Sequence, residues 1–209
     1  MLLPLLVCEV VWSLGENVYA AIYGHMSTDA SAAMTLTNPI QGLVIGALCG
    51  LSQAASVIIG KHLGSGENET AYWSAKKLML YGAIGSICLS AIVIFTTKAY
   101  VGIYHVDNAV KTMTSQILCV YAVVVPFKVL NMILGGGIIR SGGRTKYVMF
   151  IDMVGTWCFG VPLGLVSAFV WKMSLSYVYL LLSLEECIRF GISLIVFHGR
   201  TWMNQLEAT

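Results

Sequence analysis

Three stretches of this chain, residues 30–60, 78–97 and 153–171, contain no Asp, Glu, Lys or Arg. An ionised side chain at mid-bilayer costs about 2.5–3.5 kcal/mol on insertion scales. A helix of about 20 residues, rising 1.5 Å per residue, crosses roughly 30 Å of hydrocarbon. Windows of this length without charge therefore select membrane helices. Three more stretches, 4–23, 114–139 and 176–197, reach spanning length once interior charges are admitted. The chain reads as an all-α polytopic membrane protein with six transmembrane helices near 4–23, 32–61, 76–97, 114–139, 147–171 and 176–197. The turns fall near 25–29, 61–75, 98–111, 140–146 and 171–174, and no low-complexity linker divides the single lobe 1–209.

Composition agrees, with 57% of residues apolar and 11% charged, against roughly 25% charged in soluble domains. A water-soluble fold would lack polar surface, and a disordered chain or coiled coil would need more charge. The net charge is +2 with no basic run, which argues against a nucleic-acid binder. Cys8, Cys49, Cys88, Cys119, Cys158 and Cys187 each lie in apolar sequence without metal-ligand spacing, and read as buried apolar residues. The first residues lack a basic start and a small-residue cleavage site, so the reading is a retained first helix.

Lys and Arg near helix ends are retained on the cytoplasmic side. Lys61, Lys76, Lys77, Arg140, Arg144, Lys146 and Arg200 fall on one side of the six-helix scheme, and Lys98, Lys111 and Lys172 on the other. The expected protein is multi-pass, in the cell membrane, with its C-terminus in the cytoplasm. Proline and glycine mark hinges and close packing. Asn38 and Pro39 break the second helix, while Pro126 and Pro162 sit mid-span. Gly42, Gly46 and Gly50 form two G-x-x-x-G steps extended by Ala54, which predicts a central, tightly packed second helix.

Ionisable residues inside the spans carry the functional signal. Glu9 and Glu16 are seven residues apart and share one face of the first helix, with Ser13 between them. Lys128 and Asn131 are one turn apart on the fourth helix. Glu185 or Glu186 with Arg189 reads most simply as an internal ion pair, and Asp152 as an acid that snorkels or answers Arg144. Glu9 and Lys128 lie at depths where a charge must be paired, neutralised or hydrated, which favours a role in proton or cation exchange. Trp12 lies beside the Glu9 and Glu16 face, whereas Tyr19, Tyr23 and Trp73 read as interfacial anchors. An intramembrane serine protease would need a deep His, but His25, His62, His105 and His198 fall near helix ends. A nucleotide-driven pump would need a phosphate-binding loop, and none occurs. A channel stays open, although no filter-like repeat is visible.

These residues, in order, resemble the C-terminal half of the multidrug and toxic compound extrusion family. Pro4 through Glu9, Trp12 and Gly15 to Tyr23-Gly24 is similar to its seventh helix. Ala32-Ala33, Asn38, Gly50-Leu51, Ala54-Ala55 and Gly60 to Gly66, with Ala71 beyond, resemble its eighth. Pro126-Phe127-Lys128, Asn131 and Arg140 to Gly143 resemble the tenth helix and its loop. Asp152, Trp157 and Pro162, then Glu186, Arg189 and Trp202, resemble the last two helices and tail.

The resemblance implies one lobe of a two-lobe antiporter that exports organic, often cationic, compounds against inward H⁺ or Na⁺, with no enzyme chemistry, no metal site and no cofactor besides the coupling ion. It places coupling at Glu9, Lys128, Asn131 and Glu16, with Glu16 an acid the family pattern does not match. Substrate is expected against Trp12, Gln41 and Gln53. Arg144 stands where the family usually has Asp. Where some members carry an Asp for Na⁺ the fourth helix has no acid, which favours H⁺ over Na⁺. The expected partners are small organic substrates, membrane lipid, and a missing N-terminal lobe or a second copy. The alternatives are a lipid-linked precursor flippase and a non-transporting fragment packed on a partner lobe.

Overall fold

The computed structural model describes residues 2–203, without the side chains of residues 2–5 and of Cys8. Among the described residues six helical rods follow one another: α1 Leu2–Met26, α2 Thr28–Gly64, α3 Asn68–Ile103, α4 Asn108–Ile139, α5 Thr145–Val170 and α6 Leu175–His198. A short 3₁₀ turn, Thr201–Met203, closes the described chain. Four rods, α2 to α5, are long and apolar enough to cross a membrane. Lipid suits the outer faces, where Phe95 is 85% exposed and Leu43, Val57, Ile103 and Ile195 are also bare.

Each rod extends beyond the apolar window that signals it. At 37 and 36 residues, α2 and α3 reach about 56 and 54 Å, well beyond about 30 Å of hydrocarbon. The connections shrink accordingly. Ser27 alone separates α1 from α2, its hydroxyl accepting from the amide of Ala30 at 3.0 Å as an N-cap. After α2 the chain reverses at Gly66, whose φ of +76° suits a residue without Cβ.

Contrary to the expected break, α2 continues through Asn38 and Pro39. The missing proline N–H costs one carbonyl partner without stopping the helix. Pro126 also lies inside a continuous helix, although α4 widens to π-helical winding over Met132–Ile139. Pro162 sits between two more π-helical stretches, Val154–Gly160 and Val166–Val170. Before Pro162 such widening spans the carbonyl of Cys158, which the proline leaves without its helical partner.

The glycine ridge of α2 also points the other way from expectation. A Cβ built on Gly42, Gly46 or Gly50 meets nothing within 4 Å. The packed face of α2 instead carries Val44, Leu48, Ser52, Ala55 and Ile59, set against α3 and α4. The centre of the lobe is α4, with 56% of its spanning window buried against 28% for α2. Ile117, Leu118, Val125, Val129, Ile133 and Ile138 of α4 are fully covered. The cysteines differ too: Cys88, Cys119 and Cys158 are exposed, and Cys49 and Cys187 half-buried. A thiol is apolar enough to face lipid without cost.

At one end of the bundle the chain folds back on itself. Trp202 is buried, stacks on Phe197 at 5.7 Å, and donates its indole N–H to the Phe197 carbonyl at 3.1 Å. Phe197 stacks on Tyr72 at 5.1 Å, and the Arg200 guanidinium lies over the same ring at 4.4 Å. The end of α6 is thereby pinned to the start of α3.

Candidate functional site

Two hollows open between α1, α2, α4 and α6, and Lys128 and Glu186 line both. The first, about 390 Å³, gathers Glu16, Tyr19 and Tyr23 of α1, Asn38 and Gln41 of α2, Tyr121 of α4, and Tyr179 and Glu185 of α6. The second, about 440 Å³, gathers Glu9 and Trp12 of α1, Gln53 of α2, Asn131 and Arg140 of α4, Asp152 of α5, and Arg189 and Ser193 of α6.

Helical spacing explains the division. Glu9 and Glu16 are two turns apart, about 10 Å along α1, and so serve different hollows. Gln41 and Gln53 are separated in the same way along α2. The expectation of one wall made by Trp12, Gln41 and Gln53 is corrected: Trp12 and Gln53 share the second hollow with Glu9 and Asn131, and Gln41 lies in the first with Glu16.

Glu9 is not the deeply buried acid that its place in the sequence suggests. Its side chain is 59% exposed, and its nearest cation is Arg140 at 3.4 Å, with Lys128 elsewhere on the wall of the same hollow. The buried charge lies instead on α6. The Arg189 guanidinium, 8% exposed, is 3.6 Å from Glu185 and 3.5 Å from Glu186. The ion pair expected within α6 is therefore present. Asp152 joins it from α5, accepting from Arg189 Nε at 3.1 Å, where Arg144 was the expected partner. Arg144 lies over the Tyr147 ring at 5.0 Å and donates to the Thr201 carbonyl at 3.3 Å.

A hydrogen-bond network completes the cluster. Asn131 Nδ2 donates to Glu186 Oε2 at 2.9 Å, and the Ser193 hydroxyl reaches Asn131 Oδ1 at 3.5 Å. The Tyr19 hydroxyl donates to Glu185 Oε2. Gly160 is required opposite, since a Cβ there would run into both groups. Ion pairs this well covered persist only when each carboxylate oxygen finds a partner.

Tyr19, Tyr23, Tyr121 and Tyr179 were not expected as lining residues. Tyr23 and Tyr179 hold their ring centroids 6.4 Å apart, and Tyr121 donates to the Gln41 carbonyl at 3.2 Å. The signal was available: Tyr19 and Tyr23 follow Glu16 by three and seven residues and share its face. Chemically, the first hollow combines aromatic walls with Glu16, Glu185 and Glu186 against one lysine. Such a surface attracts an organic cation through ring faces and carboxylates together. In the second hollow Glu9, Asp152 and Glu186 meet Lys128, Arg140 and Arg189, so its formal charges balance.

The MatE family model matches residues 4–166. Multidrug and toxin extrusion protein 1 of Pongo abelii is 26% identical over 170 residues, which are 81% of this chain and 29% of that protein. Multidrug and toxin extrusion protein 2 of Mus musculus is 23% identical over 97% of this chain and 35% of its own length. Among solved structures, the Vibrio cholerae MATE transporter VcmN in its bent form superposes with a TM-score of 0.86 at 17% identity, covering 99% of this chain and 47% of that one. The chain thus spans under half the length of each of these three proteins. With the family model covering most of its helices, this multi-pass membrane protein belongs to the MatE family of transporters.

Proposed function

We propose that the chain is the C-terminal lobe of a multidrug efflux antiporter that exchanges organic cations for protons. The observation that carries this reading is the first hollow, with its four tyrosines and its excess of carboxylate. A diffuse organic cation needs aromatic faces to replace its hydration and a carboxylate to balance its charge. The names of the relatives, multidrug and toxin extrusion proteins, agree with such a substrate class.

Protons are preferred over Na⁺ because the second hollow already holds three internal cations against three carboxylates. A metal cation would have to displace one of these internal partners to reach a carboxylate, whereas a proton removes a carboxylate charge at the point where it binds. Glu9 is the accessible acid of this exchange, with Lys128 and Asn131 setting its surroundings. The π-helical stretches around Pro162 and after Pro126, with Asn38 and Pro39 on α2, provide the hinges. Alternating access requires two bodies about a shared site, so a second lobe, from an N-terminal half or another copy, completes the cleft. The excess of basic residues on one side of the six-helix scheme supports an orientation with Arg140 and Arg200 toward the cytoplasm.

The test is reconstitution of the chain with an N-terminal six-helix lobe in liposomes loaded with ethidium, under an imposed pH gradient. Gradient-driven ethidium movement is expected, and Glu9→Gln should abolish it while leaving membrane insertion intact. Unchanged movement in that variant would overturn the assignment of Glu9. No gradient-driven movement with the unaltered lobe would overturn the antiporter reading.

A further inference from the structure

The most covered charges of the lobe are not those that face its hollows most openly. Glu185, Glu186 and Arg189 are 5–7% exposed, and with Asp152 they set three carboxylates around one guanidinium. Lys128 is the next cation, near enough to act on Glu185 electrostatically, yet it makes no ion pair within 4 Å among the described residues. Counting both cations, one carboxylate charge is left over in a covered site. Low dielectric makes such an excess unsustainable without a proton or a further cation.

The geometry singles out where a proton fits. Glu186 already accepts from Asn131 and faces Arg189, and Asp152 is bound to two nitrogens of Arg189. Glu185 has one oxygen, Oε2, taken by the Tyr19 hydroxyl, while Oε1 faces Arg189 Nη1 at 3.6 Å. That is longer than a charge-assisted hydrogen bond. The groups bearing on Glu185 are Tyr19 and Tyr23 from α1, Lys128 from α4, Asp152 through Arg189 from α5, and Glu186 and Arg189 on α6 itself, with Glu16 and Tyr179 lining the same hollow.

We infer that Glu185, positioned by Tyr19, is a second and buried proton-exchange site of this lobe, distinct from Glu9, and that Arg189 connects its charge state to the second hollow. The carboxylate takes a proton from hydronium in the first hollow, forming an O–H bond at Oε1 and releasing water. The Glu185–Arg189 attraction is then lost, and the guanidinium is left to Asp152 and Glu186, both on the wall of the second hollow. An organic cation arriving beside Glu185 restores the carboxylate, and the proton leaves to water. Loading one hollow therefore changes the charge balance of the other. The use of this site in transport rests on the proton-exchange reading above; its existence does not.

The test is pH-difference infrared spectroscopy of the full chain in lipid vesicles, reading the carboxylic-acid C=O stretch that forms on acidification. A covered carboxyl band is expected that is lost in Glu185→Gln, kept in Glu9→Gln, and displaced in both frequency and titration midpoint in Tyr19→Phe, which removes its hydrogen-bond donor. Persistence of the full band in Glu185→Gln, or its loss in Glu9→Gln, would overturn the inference. Should Glu185→Gln fail to insert, Tyr19→Phe decides, because an unmoved band would exclude Glu185. Loss of dye transport with the band intact would count against the antiporter reading alone.

Discussion

Replacing Gly137 by alanine tests the packing of the lobe where α4 lies against the backbone of α2. A Cβ at this position would lie 2.8 Å from the Ser52 carbonyl oxygen and 2.9 Å from the Ala55 Cβ. Both neighbours belong to the body of α2, so no flexible side chain can swing away. The two helices must separate locally, an overpacking that costs about 1–3 kcal/mol. The Ser52 hydroxyl, which donates to the Met132 carbonyl at 2.9 Å, risks a further loss of about 1 kcal/mol. Alanine's preference for helix returns about 0.8–1 kcal/mol, leaving a net destabilisation of roughly 1–3 kcal/mol. Gly46→Ala in α2 makes the same chemical change where nothing lies within 4 Å. It should be neutral or stabilising by up to about 1 kcal/mol. Detergent unfolding in mixed micelles, followed by helical circular dichroism, measures both. The reasoning fails if Gly137→Ala is as stable as the unaltered chain, or if the two variants lose stability equally.

Two further contrasts follow from burial. Arg189→Met strands three carboxylates and should cost about 3–5 kcal/mol, whereas Arg200→Met removes an exposed pair with Glu69 and should cost under about 1 kcal/mol; the same unfolding assay separates them, and similar losses would argue against a covered cluster. Trp202→Ala empties the stack on Phe197 and should cost about 3–5 kcal/mol, while Trp73→Ala, at a residue 57% exposed, should change stability by under about 1 kcal/mol.

The rods were legible because a spanning length of apolar sequence without charge is rare outside lipid, and residues 78–97 fall wholly inside α3. Their ends were not. The polar residues 68–75 look like loop, yet Ala71, Tyr72 and Ala75 are buried there against the rest of the lobe. Direction was likewise hidden: G-x-x-x-G spacing on α2 defines a face but not which way it turns. For the site, the sharing of an α1 face by Glu9 and Glu16 was readable, and their separation into two hollows was not. Asp152 and Arg189 are 37 residues apart, and only packing of α5 on α6 brings them together. Position within an apolar window suggests depth, which misplaced Glu9, while exposure depends on the neighbouring helices.

The measurement that bears most directly on a cation-receiving lobe is equilibrium binding of tetraphenylphosphonium to the chain in lipid vesicles, comparing it with Glu16→Gln. Glu16 lines the tyrosine-walled hollow and is absent from the other, and losing its charge should weaken binding by about 1–2 kcal/mol, roughly five- to thirty-fold. Equal affinity in the two proteins, or no binding by the unaltered chain, would contradict the account.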